Sequence, residues 1–94
     1  MADDPLTDAE LAAIRARVDA ASPAPWESFI EGRDHLAGDD FIRIGGLDLA
    51  WHDMNVLHDT HPAPPHDLDF IAHARQNIPR LLAEVERLRR KLAE

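Results

Sequence analysis

The chain has no cysteine among its 94 residues. This absence excludes a disulfide framework, thiolate zinc sites, iron–sulfur clusters and cysteine nucleophiles. The sequence also has no apolar run close to the roughly 18 residues that a membrane-spanning helix needs. Its first residues, MADDPLTDAE, lack the basic and apolar regions of a signal peptide. These absences predict a cytoplasmic protein, and the length predicts a single domain, 1–94, with one modest core.

Basic residues are few, because 10 Lys and Arg stand against 18 Asp and Glu and give a formal net charge of −8. This charge argues against general binding to nucleic acid or to anionic membranes. Its distribution is uneven: −3 in residues 1–26, −8 in residues 27–69 and +3 in residues 70–94. The acidic middle of the chain is typical of a surface exposed to solvent. A more specific alternative is that the protein is an acidic inhibitor that mimics a nucleic acid.

Motifs that would indicate catalysis are also absent. Gly45–Gly46 is too short to be a phosphate-binding loop after a strand, and no serine has the context of a nucleophile elbow. The paired acids Asp39–Asp40 are explained by a turn. The one acid–base candidate is a His–Asp pair such as His58 with Asp53, and no pocket is predicted around it. We therefore predict that the protein is not an enzyme.

Residues 6–21 are predicted to form the first helix, after a flexible segment at residues 1–5. Thr7 is placed as the N-cap, and Glu10 three residues later completes a capping box. The sequence SPAP that follows ends the helix, because proline cannot continue a helix interior. The apolar residues recur at helical spacing, at Leu11, Ile14, Val18 and Ala21.

Residues 26–54 are predicted to form a small three-stranded antiparallel sheet. The strand segments are WESFIEGR, FIRIGG and LDLAWHDM, and turn signals separate them. In the third segment Leu47, Leu49 and Trp51 alternate with less apolar residues. Because three strands alone are barely stable in water, a helix must cover the apolar face. The aromatic residues expected near the core are Trp26, Phe41, Trp51 and Phe70.

Residues 55–66 are predicted to form a loop rich in histidine and proline. Its prolines favour extended backbone, and four of the six histidines of the chain lie between positions 51 and 66. The spacing matches neither a helical pair of ligands nor an HExxH motif, so a polar loop without a cofactor is the favoured interpretation. The alternatives are a pH switch and a zinc or nickel site. The candidate metal ligands are His52, His58, His61, His66 and Asp59.

Residues 67–93 are predicted to form a long helix that packs on one face of the sheet, with Asp67 as N-cap. Pro79 lies inside the apolar repeat without changing its phase, which predicts a kink there or two nearly collinear helices. The fold class is therefore α+β: an N-terminal helix, a three-stranded antiparallel meander and a long C-terminal helix. The apolar residues alternate in steps of three and four, at Ile71, Ala74, Ile78, Leu81, Val85, Leu88 and Leu92.

The second half of this helix carries the strongest signal for an interaction. A β-branched residue at an a position with leucine at d favours a parallel two-stranded coiled coil. Glu84 at a g position and Arg89 at the next e position have the spacing of an interchain ion pair. The same row of apolar residues would also suit a helix that packs on the sheet of its own chain. The predicted homodimer interface comprises Ile78, Leu81, Leu82, Glu84, Val85, Leu88, Arg89 and Leu92.

Two segments, LAAIRARVDAASPAPWE and DLDFIAHARQNIPRLLAEVERLR, resemble a group of small uncharacterised proteins of actinobacteria and their phages. Those proteins have a first helix that ends in AA(S/T)PxPW and a last helix of the form FIAxARxxIPxLLxEVxRLR. The resemblance implies an accessory protein of phage or mobile-element type, with a host or phage protein as a further partner. It implies no catalytic residues. The matching residues are Ala20, Ala21, Ser22, Pro23, Pro25, Trp26, Phe70, Ile71, Ala72, Ala74, Arg75, Ile78, Pro79, Leu81, Leu82, Glu84, Val85, Arg87, Leu88 and Arg89.

Overall fold

A computed structural model describes residues 4–36, 38–45 and 53–94 of the chain. It confirms the predicted α+β class, with an N-terminal helix, a three-stranded antiparallel sheet and a long C-terminal helix. A second sheet of two short strands was not predicted. In chain order the elements are α1 (Asp8–Ala20), β1 (Trp26–Phe29), β2 (Phe41–Ile44), β3 (Asp53–Met54), β4 (Leu57–His58), β5 (His61–Pro62) and α2 (Pro65–Ala93).

The chain divides into two compact units. The first, here called the helical unit, contains the described residues up to Ala21 together with Ile78–Glu94. The second, here called the sheet unit, is Ser22–Asn77. That the whole chain behaves as the single domain expected from its length stays a prediction. Among the described residues, no helix combines the length and the apolar character needed to cross a membrane.

Helix α1 spans Asp8–Ala20, slightly less than the predicted 6–21, and it has the predicted N-cap, Thr7. The Thr7 side chain accepts a hydrogen bond from the Glu10 N–H at 3.0 Å, and the Glu10 carboxylate accepts one from the Thr7 N–H at 2.8 Å. This capping box satisfies two backbone donors that have no partner within the helix. At the other end, Ala21 has left the helical conformation, and its N–H donates to the carbonyls of Arg17 and Val18.

The three-stranded sheet is an antiparallel meander in the order β1-β2-β3. Trp26 lies opposite Ile44 across β1 and β2, and Ile42 lies opposite Met54 across β2 and β3. The described part of the third strand is Asp53–Met54. The predicted alternation of Leu47, Leu49 and Trp51 lies outside the described residues.

The core of the sheet unit lies between one face of this sheet and the first turns of α2. Ile42 is fully buried in β2, and Leu68 and Ala72 of α2 are almost fully buried in the same cluster. A large aliphatic side chain such as that of Ile42 or Leu68 contributes about 1.5–3 kcal/mol when it leaves water. The long helix therefore packs on one sheet face, as predicted. Partly buried side chains that complete the cluster are Trp26, Ile44, Met54, Val56 and Ile71.

The aromatic residues expected near the core differ in how deeply they are buried. Phe41 is buried, but on the other face of the sheet, where its ring stacks on that of Phe29 with centroids 5.4 Å apart. Phe70 was wrongly placed in the core, because its side chain is 76% exposed. At about 100° per helical residue, a position between Leu68 and Ala72 points away from the sheet that both contact. Trp51 lies outside the described residues.

Helix α2 begins at Pro65, two residues before the predicted start. Proline suits the first helical position, because an N–H group there has no partner within the helix. Asp67 therefore lies in the first turn and is not the N-cap that we predicted. Its own N–H donates to the carbonyl of Pro64 at 2.9 Å. The helix continues to Ala93 with Pro79 inside it, and the kink at Pro79 stays a prediction.

Candidate interaction surface

One face of α2 contacts α1 within the helical unit. The Arg15 guanidinium lies 3.0 Å from the Glu86 carboxylate, and the Arg89 guanidinium lies 3.4 Å from Asp8. Arg89 also donates to the carbonyl of Leu6 at 2.6 Å. Asp8, near the start of α1, pairs with the later residue of α2, and Arg15 pairs with the earlier one. The two helices therefore run in opposite directions. The buried side chains of this unit are Leu11 and Leu82.

An adjacent face of α2 leaves a row of large apolar side chains in solvent. The exposed fractions are 43% for Ile78, 63% for Leu81, 46% for Leu88 and 86% for Leu92. Val85 lies between them in the same row and is half-buried. Steps of three, four, three and four residues place all five side chains on one side of a helix. This row is here called the apolar stripe. Contiguous exposed apolar surface is typical of sites of protein contact.

The structure places two residues of the predicted interface elsewhere. Leu82 is only 4% exposed, and Arg89 is held by Leu6 and Asp8 of its own chain. Both lie on the flank of the helix that contacts α1. They are therefore removed from the candidate surface, which keeps the apolar stripe and Glu84. That this surface is an interface stays a prediction.

The other flank of the apolar stripe carries exposed charges. Glu84 and Lys91, seven residues or about two helical turns apart, lie on this flank and are both exposed. Arg87 donates two hydrogen bonds to the Glu84 carboxylate, and these bonds lower the pKa of Glu84. Exposed pairs of this kind contribute little stability, so their charges remain open to other partners.

Part of the predicted histidine-rich loop is an ordered hairpin. His58 lies opposite His61 in the β4–β5 pair, and Asp59 between them has a φ of 57°. The Nε2 atom of His58 lies 3.0 Å from the carboxylate of Asp67, in the first turn of α2. This hairpin was missed because two-residue strands carry no detectable alternation.

The candidate metal ligands do not come together in the described part of the chain. There, no group of three or more His, Asp or Glu side chains lies close enough to hold a metal ion. His58 pairs with Asp67, whereas His61 and His66 are exposed. His52 lies outside the described residues. The metal-site alternative therefore gains no geometric support from this segment.

Several carboxylates of the acidic middle serve local structure. Asp34 accepts a hydrogen bond from the Ile30 N–H at 2.9 Å, and Asp40 accepts one from the Glu31 N–H at 2.8 Å. The Glu31 carboxylate in turn accepts from the N–H of Gly38 at 2.6 Å. These contacts define the connection between β1 and β2. They support the explanation of the acids as turn residues more than the mimicry of a nucleic acid.

A polar network that the sequence did not reveal joins the sheet to α2 in the sheet unit. Asp69 accepts hydrogen bonds from the Ser28 hydroxyl and, at 2.9 and 3.0 Å, from both terminal nitrogens of the Arg33 guanidinium. The donated bonds of Arg33, and then that of Ser28, hold the pKa of Asp69 well below its usual value. The spacing of α2 could have placed Asp69 beside the sheet, but nothing in the sequence pairs it with Arg33.

Gln76, also on α2, supplies two hydrogen bonds to the backbone of the edge strand β1. Its side-chain oxygen accepts from the Trp26 N–H at 2.8 Å, and its nitrogen donates to the Trp26 carbonyl at 3.1 Å. The amide thus bonds to β1 as a neighbouring strand would. An open cleft of about 460 Å³ lies beside these residues. The Arg33 guanidinium, one of the described groups that line it, is already bound by Asp69 and Asp34 and is not free to bind an anionic ligand.

Comparison of the chain with models of protein families, with curated proteins and with solved structures found no match. The proposed function therefore rests on the apolar stripe and its flanking charges.

Proposed function

We propose that the protein is a non-catalytic interaction protein that self-associates through the apolar stripe of α2. The observation that supports this proposal is the row of exposed leucines at positions 81, 88 and 92, on a helix whose neighbouring face is already occupied by α1. Water disfavours such a row, and a second copy of the chain offers an equally apolar surface to cover it.

The expected dimer is reversible. Each leucine that becomes fully buried contributes about 1.5–3 kcal/mol. Association itself costs about 4–15 kcal/mol in lost translational and rotational freedom. Since the stripe is short, the surplus is small, and we expect a dissociation constant in the micromolar range.

The test is the molar mass of the protein in solution, measured by light scattering after size-exclusion chromatography. At about 100 µM, where a micromolar dimer is largely formed, the unmodified chain should have twice the monomer mass. Leu88→Glu should be monomeric, because a carboxylate cannot be buried without a partner. Ala83→Glu is the matched control, since it adds the same charge at an exposed position off the stripe.

A monomeric unmodified chain, or a Leu88→Glu variant that still dimerises, would contradict the proposal. Circular dichroism of both variants distinguishes loss of association from loss of folding. We further propose that the dimer acts in the bacterial cytoplasm as a phage or mobile-element accessory protein and binds a host or phage protein. This context is supported by the resemblance of the two helical segments to proteins of actinobacteria and their phages.

A further inference from the structure

We infer that two copies of the chain pair through α2 in antiparallel orientation, with Leu81 packed against Leu92 of the second copy and Val85 against Leu88. This inference rests on the proposed self-association, and it assigns the orientation and register of that contact. It replaces the parallel pairing that β-branched residues at a positions and leucine at d positions predicted.

Parallel and antiparallel pairs of α2 would use different flanks of the helix. A parallel pair of helices brings the g flank of one helix against the e flank of the other. In this protein the e flank of α2 holds Leu82, which is buried, and Arg89, which is bound to Leu6 and Asp8 of α1. The partner that Glu84 would need in a parallel dimer is therefore already engaged.

An antiparallel pair brings each flank against its own counterpart. The g flanks then meet each other on the side of α2 away from α1, and the e flanks stay with α1. The g flank carries Glu84 and Lys91, which are exposed and of opposite sign. Because a twofold axis relates the two helices, the Glu84–Lys91 pair forms twice, once on each side of the axis.

The same charges select the register. With Leu81 opposite Leu92, Glu84 of one copy lies within about two residues, or 3 Å along the axis, of the level of Lys91 in the other. A shift by one heptad in one direction places Glu84 against Glu84, and a shift in the other direction places Lys91 against Lys91. Both alternatives bring like charges together, so one register remains.

Because the chain lacks cysteine, introduced cysteines can report the orientation directly. Leu81→Cys and Leu92→Cys are prepared separately and then also mixed in reduced form, and each sample is oxidised with oxidised glutathione. In the inferred register, two copies of residue 81 lie about 11 residues, or 16 Å, apart along the helix, which is too far for a disulfide. We expect covalent dimer only in the mixture. Light scattering of each reduced variant first confirms that it still dimerises.

The outcomes separate the two proposals. Covalent dimer in each single variant, with non-covalent dimers by light scattering, would overturn the antiparallel orientation and leave self-association standing. An unmodified chain that is monomeric would overturn both. Covalent dimer confined to the mixture supports both.

A charge exchange tests the register without cysteine. Glu84→Lys should weaken dimerisation about tenfold, because two attractive contacts become repulsive. Adding Lys91→Glu should restore it, although the contact of residue 84 with Arg87 in the same helix is still lost. If the double variant associates as weakly as Glu84→Lys alone, the inferred register is wrong.

Discussion

Asp69 shows how one side chain can connect distant parts of the sheet unit. Its carboxylate receives hydrogen bonds from Ser28 in β1 and from Arg33 in the connection that follows β1. Hydrogen bonds to an ionised acceptor are stronger than those between neutral groups. The ionised form of Asp69 is thus favoured by folding, and the pKa of this carboxyl is lowered. The stability that it supplies must therefore depend on pH.

We expect this stability to be present above the ordinary pKa of aspartate, about 3.9, and to be lost as the pH falls toward the lowered pKa of the folded state. Asp69→Asn removes the charge at every pH, so it should destabilise the protein at pH 7 by about 1–2 kcal/mol. At pH 3 the difference from the unmodified protein should be smaller. Thermal unfolding followed by circular dichroism at both pH values measures it. Asp39→Asn, which removes an exposed carboxylate, is the control, and an equal loss at pH 3 and pH 7 would contradict the explanation.

At the scale of elements, the sequence predicted those parts of the fold whose signals are local. The capping box of Thr7 and Glu10 predicts the start of α1, because both partners lie within one turn. The heptad spacing of α2 was also visible in the sequence. The sequence did not show which of two adjacent rows of side chains on α2 contacts α1. The row that contacts α1 contains Glu86 and Arg89. From the sequence alone, these charged residues would be expected to face solvent. Such partners are distant in sequence, and no local pattern predicts them.

The turn of the β4–β5 hairpin contains one residue, Asp59, in a left-handed backbone conformation. Asp59 has a positive φ, a conformation that costs most residues roughly 1–2 kcal/mol but costs glycine nothing. Asp59→Gly should therefore keep the hairpin and the overall stability, whereas Asp59→Val should destabilise the protein by about 1–2 kcal/mol. Urea unfolding of the two variants measures the difference. Thr60→Val, at the next position of the same turn, controls for the apolar side chain, and equal stability of both Asp59 variants would contradict the assigned turn.

At the scale of the whole molecule, the candidate site depends on how one helix distributes its surface. In the helical unit, α2 gives one face to α1 and leaves the apolar stripe exposed beside it. A helix that served only its own unit would carry polar residues there. Folding and association are therefore expected to be linked, because covering the stripe adds apolar burial that one chain alone lacks.

This linkage predicts that the melting temperature rises with protein concentration. Each tenfold increase in concentration stabilises a dimer by about 1.4 kcal/mol, which corresponds to about 3–5 °C for a dimer of this size. Differential scanning calorimetry from about 5 to 500 µM, a range that spans a micromolar dissociation constant, would measure the slope. Leu88→Glu should melt at one temperature throughout, because its monomer has no association step to shift. Ala83→Glu should keep the slope of the unmodified chain, and a flat profile for that chain would mean that the apolar stripe stays uncovered in solution.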